Sequence, residues 1–289
     1  MPAYRFCRSD DIPLLVAAHN ACWVPHFDAA PAITVESFKR GIRELGLWPS
    51  SCMVAFADDE PIGVLIGAKR DGEANCVHRL AVRPGYERLG HGRHLLMSLA
   101  NKAAILGPSR LVAEIPAAWT EIRCFFEKSG FVAEARYGDF VLAADADLGG
   151  RDGEDPRAGM IVSIGLEDLV ESGAFDPAVR RSWGRSLASL RGRSGSLVGI
   201  AVATDRLEAY LLHGVGRNGT SREIVALGAA PGDAGPALLA LLVRQIQVEG
   251  HDVRIAGIAE KEVSFATLAD MGFRLERETI GYVAANRPA

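Results

Sequence analysis

The sequence predicts an α/β chain of the α+β type, built as two tandem domains of one plan, each a mixed twisted sheet flanked by helices. Three observations point there. Runs with an apolar residue at every second position interleave with runs whose apolar residues recur at helical spacing. Residues of the first half return in the second at a nearly fixed offset. Between the halves lies a stretch with hardly any large apolar residue. A chain of 289 residues is long enough for two such domains to bury a core each.

Residues 4–7 read as a strand, and Ser9 with Asp10 opens a helix that carries Leu14, Leu15 and Ala18. A second helix starts near Thr34, with Phe38, Ile42 and Leu45 on one face. Residues 52–57 and 62–68 are strands joined by the turn Asp58-Asp59-Glu60-Pro61, and residues 76–82 are another strand. Residues 92–106 form a helix with Leu95, Leu96, Leu99, Ala103 and Leu106 inward. A strand at 111–115, a helix at 118–128 and one or two closing strands within 131–142 complete the first half.

The repeat can be followed residue by residue. Gly130, Phe131, Glu134, Phe140 and Val141 return as Gly272, Phe273, Glu276, Tyr282 and Val283, each 142 positions on. Gly92, Leu95, Leu96 and Leu99 return as Gly235, Leu238, Leu239 and Leu242 at 143, and so does Val112-Ala113-x-Ile115 as Ile255-Ala256-x-Ile258. Pro84 matches Pro231 at 147, so the second copy is four residues shorter between that proline and its helix. The run from Ala143 to Gly159 is rich in Gly and Asp and reads as a solvated linker. The expected domains are therefore 1–144 and 160–289, with a linker at 145–159.

Composition narrows the function. A formal net charge of −4 argues against a dedicated nucleic-acid binder. The start, Met1-Pro2-Ala3-Tyr4-Arg5, lacks the apolar run of a secretory signal, and no apolar stretch reaches membrane-spanning length. Cys7, Cys22, Cys52, Cys76 and Cys124 are odd in number and never spaced C-x-x-C, which suits reduced thiols better than disulfides or zinc. The expectation is a cytoplasmic protein, monomer or homodimer, with no metal, no membrane and no nucleic acid.

The informative segment runs from Val77 to Leu96: a strand ends, a loop with two glycines follows, and a helix begins. The open amides and dipole of a helix start favour a phosphate. Gly90 and Gly92 let the backbone approach such a ligand closely. Arg83, Arg88 and Arg93 against Glu87 give the loop a surplus of two positive charges. In the second copy the same place reads Pro231-Gly-Asp-Ala-Gly-Pro236, shortened, without arginine and carrying Asp233. A Rossmann fingerprint would need glycine where Leu95 stands, and a Walker loop needs a Gly-Lys-Ser/Thr that is missing. A turn that merely caps a helix remains the plain alternative for the loop taken alone.

Val82-Arg83-Pro84, Tyr86, then Glu87-Arg88-Leu89-Gly90-His91-Gly92 and Leu95-Leu96, followed by Phe125-Phe126-Glu127-Lys128-Ser129-Gly130-Phe131, resemble the signature of the GNAT superfamily of acetyltransferases. The resemblance covers residues 3–142 in full order and, more faintly, 160–285. It implies tandem GNAT-like domains, the second degenerate, and acetyl-CoA as cosubstrate of an N-acetyltransferase. It also implies that the backbone of Leu80, Ala81 and Val82 pairs with the pantetheine arm. The amides around Arg88, Leu89, Gly90, His91, Gly92, Arg93 and His94 would hold the pyrophosphate. Three residues depart from the pattern. Glu87 stands where Gln or Arg is preferred, Trp119 where asparagine is common, and Phe126 where many members carry a tyrosine beside the cofactor's sulfur. Phe126→Tyr is expected on this basis to keep or raise turnover, and Tyr137 is the nearest other tyrosine in sequence.

The implied reaction, attack of a neutral amine on a thioester, needs a base. Some members place a glutamate where Cys76 falls, and His78, two residues on, shares its face of an alternating strand. An imidazole with a pKa of about 6.5 suits the task, so His78 is the candidate catalytic residue. A packed strand histidine and deprotonation through water stay open beside that reading. Cys76 shows no histidine–acid partnership that would make it a nucleophile. Trp23, His26, Phe27 and Asp28 form either an acceptor site for a cationic amine or a structural plug. Arg180, Arg181, Trp183 and Arg185 read as a helix divided between solvent and core. The expected activity is acetyl transfer to a primary amine of a small-molecule acceptor. Set against it is a CoA-binding regulatory protein of weak catalysis, which Phe126 and Glu87 favour.

Overall fold

The computed structural model describes residues 2–27, 31–70, 73–108, 110–146, 148, 156–216, 219–248 and 250–285. It divides into two compact units. Unit 1 comprises Met1–Ile115, Trp119–Glu134 and Ile280–Ala289, and unit 2 comprises Pro116–Ala118 and Ala135–Thr279. No helix among the described residues is long and apolar enough to cross a membrane.

Unit 1 begins with β1 (Ala3–Phe6), α1 (Ile12–Cys22) and α2 (Val35–Leu45), then β2 (Met53–Ala57), β3 (Glu60–Arg70) and β4 (Ala74–Val82). There follow α3 (His91–Leu106), β5 (Leu111–Pro116), α4 (Thr120–Lys128) and the start of β6 (Phe131–Leu142). Thr34 caps α2, its side chain accepting from the Ser37 amide while the Ser37 hydroxyl accepts from the Thr34 amide. The β2–β3 turn is tighter than expected, since β3 already starts at Glu60. Asp58 and Asp59 both take positive φ, +48° and +66°, a conformation that short acidic side chains tolerate and that suits a two-residue hairpin.

Strand order is β1-β2-β3-β4-β5, antiparallel except for the parallel β4–β5 pair. Alternate residues Leu111, Ala113 and Ile115 of β5 join Met53, Leu65 and Val77 on one face. Leu95, Leu96 and Leu99 of α3 pack against it, as their helical spacing requires.

Unit 2 repeats the plan with β7 (Ile161–Ser163), α5 (Leu166–Glu171), α6 (Leu187–Arg193), β8 (Val198–Ala203), β9 (Leu207–Val215) and β10 (Ser221–Ala229). It continues with α7 (Gly235–Ile246), β11 (Asp252–Ala259), α8 (Phe265–Asp270) and β12 (Arg274–Ala284). Leu238, Leu239 and Leu242, the repeat partners of the α3 leucines, sit in its core with Leu211, Ile224 and Leu227. The strands β10 and β11 form a parallel ladder, the counterpart of β4–β5.

The units differ from the expected 1–144 and 160–289 by an exchange of closing strands. β6 is one unbroken strand whose residues 135–142 belong to unit 2, where Phe140 and Leu142 enter the core. Residues 280–284 of β12 belong to unit 1, where Tyr282 is 1% exposed among Leu95, Phe126 and Phe131. Phe140 and Tyr282 are repeat equivalents, so each copy's closing strand offers an aromatic of the right size to the other copy's core. Of the expected linker, residues 147 and 149–155 lie outside the described residues, and Pro156–Met160 forms a 3-10 turn.

Candidate active site

In unit 1 the site is set by an irregularity in β4. Ile66 pairs with Arg79 but Gly67 pairs with Val77, so His78 is the inserted residue of a β-bulge. The β4–β5 ladder ends at Val77↔Ala113, one residue before the bulge. Beyond it, among the described residues, β4 carries on to Val82 paired with β3 and with no second strand, which leaves its other edge without a strand partner along Leu80, Ala81 and Val82. The bulge breaks strict alternation along the strand. Leu80 packs on the core side with Val77, and Arg79 reaches α1 on the opposite face.

The loop after β4 turns back at Pro84 and Gly85 and rises into α3. Gly90 caps that helix at φ +90° with nothing within 4 Å of where a Cβ would stand. Arg88 also takes positive φ, and its guanidinium meets Glu121 at 2.7 Å on an exposed surface. The amides of Gly90, His91, Gly92 and Arg93 precede the first intrahelical bond, while the His94 amide already donates to the Gly90 carbonyl at 3.0 Å. The amides at the start of α3 without an intrahelical partner are thus those of residues 90–93, while the His94 amide is already engaged. Leu89 is 67% exposed and Arg93 is exposed, whereas the His91 ring is buried under a 2.6 Å hydrogen bond with the Tyr4 hydroxyl.

Aromatic rings gather beside the opened strand. Phe27 stacks on Trp119 at 5.3 Å and meets Trp23 at 5.1 Å, and the Arg79 guanidinium lies 5.3 Å from the Trp23 ring. His26 donates from Nε2 to the Val82 carbonyl at 2.8 Å, with Nδ1 3.7 Å from Glu87. Asp28 of the expected cluster lies outside the described residues. Trp119, noted only as a departure from a family pattern, proves to be one wall of the cluster.

His19, buried in α1, was not legible as part of the site. Asn20 Oδ1 can only accept and Arg79 Nη1 can only donate, so the imidazole carries its proton on Nδ1 and accepts at Nε2. Burial and the Arg79 charge push its pKa down to about 4. The unfolded chain, with an ordinary histidine, binds this proton near pH 6.5, so stability falls as pH drops from about 6.5 to 4 and this contribution levels off below. The full shift corresponds to about 3 kcal/mol. Thermal melts of wild type and His19→Gln should show that loss in wild type only, and equal slopes over that window would refute the assignment.

Other expected residues fall elsewhere. Cys76 is fully buried and its thiol is pushed well above the usual range by burial and by the Glu114 carboxylate, which makes it inert as a nucleophile. Glu114, half-buried on β5, shares the Cys76 face of the sheet and is a carboxylate that the sequence reading passed over. Tyr137 lies in unit 2 and donates to the Arg181 carbonyl at 3.4 Å. Phe126 is 4% exposed, edge-on to Phe125 at 5.4 Å and to Phe131 at 5.1 Å. It is a packing residue and not an open position beside a sulfur. Phe126→Tyr is therefore expected to cost about 1–3 kcal/mol by burying a hydroxyl in an apolar cluster, read as a lowered denaturation midpoint.

Unit 2 keeps the bulge but starts the helix after it differently. The register of β9 and β10 shifts between Ile224 and Ala226, which makes Val225 the inserted residue, and the β10–β11 ladder ends at Ile224↔Ile255. At the start of α7, however, the Gly235 amide is bonded to the Gly232 carbonyl at 3.3 Å, and Pro236 has no amide to offer. Nor do Arg181 and Arg185 lie on a helix with a solvated face. Trp183–Arg185 is a 3-10 turn, and both arginine side chains are buried against Glu262.

Residues 48–133 match the family model described as acetyltransferase (GNAT) domain. No curated protein matches the sequence. Among solved structures, a GCN5-related N-acetyltransferase from Sphaerobacter thermophilus superposes with a TM-score of 0.67 at 17% identity, covering 100% of this chain and 96% of that one. A tandem GNAT protein from the clavulanic acid biosynthesis pathway gives 0.66 at 16% identity, with 100% of both chains covered. A GCN5-related N-acetyltransferase from Anabaena variabilis gives 0.59 at 12%, covering 98% and 72%. The family match spans the bulged strand, the two-glycine loop and α4, and the structural matches span both units. Residues 48–133 thus match a GNAT acetyltransferase domain, and the chain over its whole length has the tandem GNAT fold.

Proposed function

We propose that unit 1 transfers the acetyl group of acetyl-CoA to a primary amine of a small-molecule acceptor. The observation that carries this reading is the open edge of β4 beyond the His78 bulge, leading straight into the cradle of amides at residues 90–93. Those amides suit a pyrophosphate, and the Leu80–Ala81–Val82 edge suits an amide-bearing arm. The Val82 carbonyl also serves His26, so it would be shared. The cosubstrate supplies an activated thioester carbonyl. The protein must deprotonate the amine and orient it. The rings of Trp23, Phe27 and Trp119 give an arriving ammonium a favourable surface before it loses its proton.

His78 is assigned the deprotonation, with Glu114 as the rival base. Release of free thiol from acetyl-CoA is expected to accelerate when one member of an amine panel is added: polyamines, aminoglycosides, amino acids and peptide N-termini. With that acceptor, His78→Asn should lower turnover about 100-fold while acetyl-CoA affinity holds. Near wild-type turnover in His78→Asn, together with collapse in Glu114→Gln, would transfer the role to Glu114.

A regulatory CoA-binding protein of weak catalysis is the second reading. It is favoured by Glu87, an acidic residue within the two-glycine loop. Acetyl-CoA binding without acceleration by any amine would select it. Unit 2, on the geometry of α7, is not expected to bind CoA.

A further inference from the structure

The parted strands of unit 2 border a half-open cavity of about 550 Å³. Leu227, Gly228 and Ala229, from the part of β10 beyond its bulge, form one side, and Lys261 and Glu262, just past β11, form another. That is the size of a small-ligand site.

Its floor is charged. Glu262 is 1% exposed at the side chain and receives Arg181 Nε at 3.0 Å and Arg185 Nε at 3.3 Å. Arg185 is used up there, since its Nη2 also reaches Glu262 and its Nη1 donates to the Ile224 carbonyl at 3.0 Å. Arg181 lines the cavity, its guanidinium 3.8 Å from the Phe175 ring, with Nη1 tied to the Asp176 and Val179 carbonyls. Two buried cations thus share one buried carboxylate. Among the residues that line the cavity, Arg181, Arg206 and Lys261 face Asp176 and Glu262, a surplus of one positive charge. Buried charge without a counter-charge is costly, and one bound anion would balance it. The remaining walls include the apolar Val179, Leu207 and Pro231, with Ser172 and Tyr210 as the polar members.

We propose that this cavity binds a small monocarboxylic acid with an apolar body, its carboxylate toward Arg181 and Lys261. The surplus of one charge favours a monoanion over a phosphate dianion. The blocked start of α7 argues against coenzyme A in the same place. The second unit would then be a ligand-binding module that has kept the parted strands of its fold and changed what they hold.

The test uses the full chain carrying Gly92→Glu, so that the phosphate cradle of unit 1 is closed. Hexanoate and benzoate are compared with hexanamide and benzamide, their neutral counterparts, and with inorganic phosphate, by thermal melting and calorimetry. Saturating carboxylate is expected to raise Tm by about 2 °C or more, with no shift from either amide or from phosphate. Lys261→Gln changes an exposed residue and leaves the buried pairs intact, and should weaken carboxylate binding about 5- to 10-fold with an unchanged ligand-free Tm. Arg181→Gln leaves Glu262 bonded to Arg185 and should remove the shift. The proposal is overturned if neither carboxylate binds, if amides or phosphate bind equally well, if coenzyme A displaces the carboxylate, or if Lys261→Gln binds as wild type.

Discussion

Ending the chain after Thr279 is expected to unfold unit 1 while unit 2 stays native. The lost residues include Tyr282, 1% exposed in the unit 1 core. Its hydroxyl donates to Glu127 at 2.7 Å and accepts from Arg123 at 3.1 Å, both on α4. The Ala285 amide, which bonds the Gly130 carbonyl at 2.8 Å, is lost as well. Removal of one buried aromatic costs about 3–5 kcal/mol, a large part of what a domain has in reserve. Hydrogen exchange should show protection lost in residues 3–134 and kept in residues 198–259. Acetyl-CoA binding should disappear with it. Tyr282→Phe, which keeps the ring, should cost only about 1–2 kcal/mol. Native protection of α3 and α4 in the shortened chain would refute the strand exchange.

Gly92→Glu is expected to weaken acetyl-CoA binding by about 100-fold or more with little change in stability. Gly92 is the second residue of α3, and a Cβ there would lie 3.6 Å from Val82 Cγ2 and 3.8 Å from Phe125 Cζ, ordinary contact distances. An acid in the first turn of a helix is favourable to the helix itself. The same carboxylate would occupy and repel in the place prepared for phosphate. Gly92→Ala should therefore bind nearly as wild type, and the contrast between the two variants isolates charge and reach from mere bulk. Titration calorimetry showing equal affinity for Gly92→Glu would remove the cradle assigned to residues 90–93.

What the sequence revealed was what local pattern encodes. The α3 leucines, the two-glycine loop and the 142–143 repeat all emerge as structure, because helical spacing, glycine and repetition leave marks in the order of residues. The bulge at His78 leaves none, since an inserted residue is defined by what the neighbouring strand does opposite it. Strict alternation from Val77 would put Arg79 on the core face, whereas the bulge turns it to α1. His19 became relevant only through Arg79, sixty positions away, and the burial of Arg181 and Arg185 only through Glu262. Arginine beside arginine in sequence reads as a solvated surface until its distant carboxylate is known. Phe126 was misjudged for a related reason: a motif gives a position along a helix but not which neighbours close over it.

The exchange of closing strands also sets an order in time. Unit 2 has every one of its segments once the ribosome has passed Thr279, whereas unit 1 still waits for the residues from Ile280 onward. Between Glu134 and Ile280 lie 145 residues, about 7–30 s of synthesis at roughly 5–20 residues per second. Throughout that interval the nascent unit 1 lacks Tyr282, a member of its core. The half that is translated first is therefore completed last, and a ribosome stalled between the two halves would display the two-glycine loop on a domain not yet able to close.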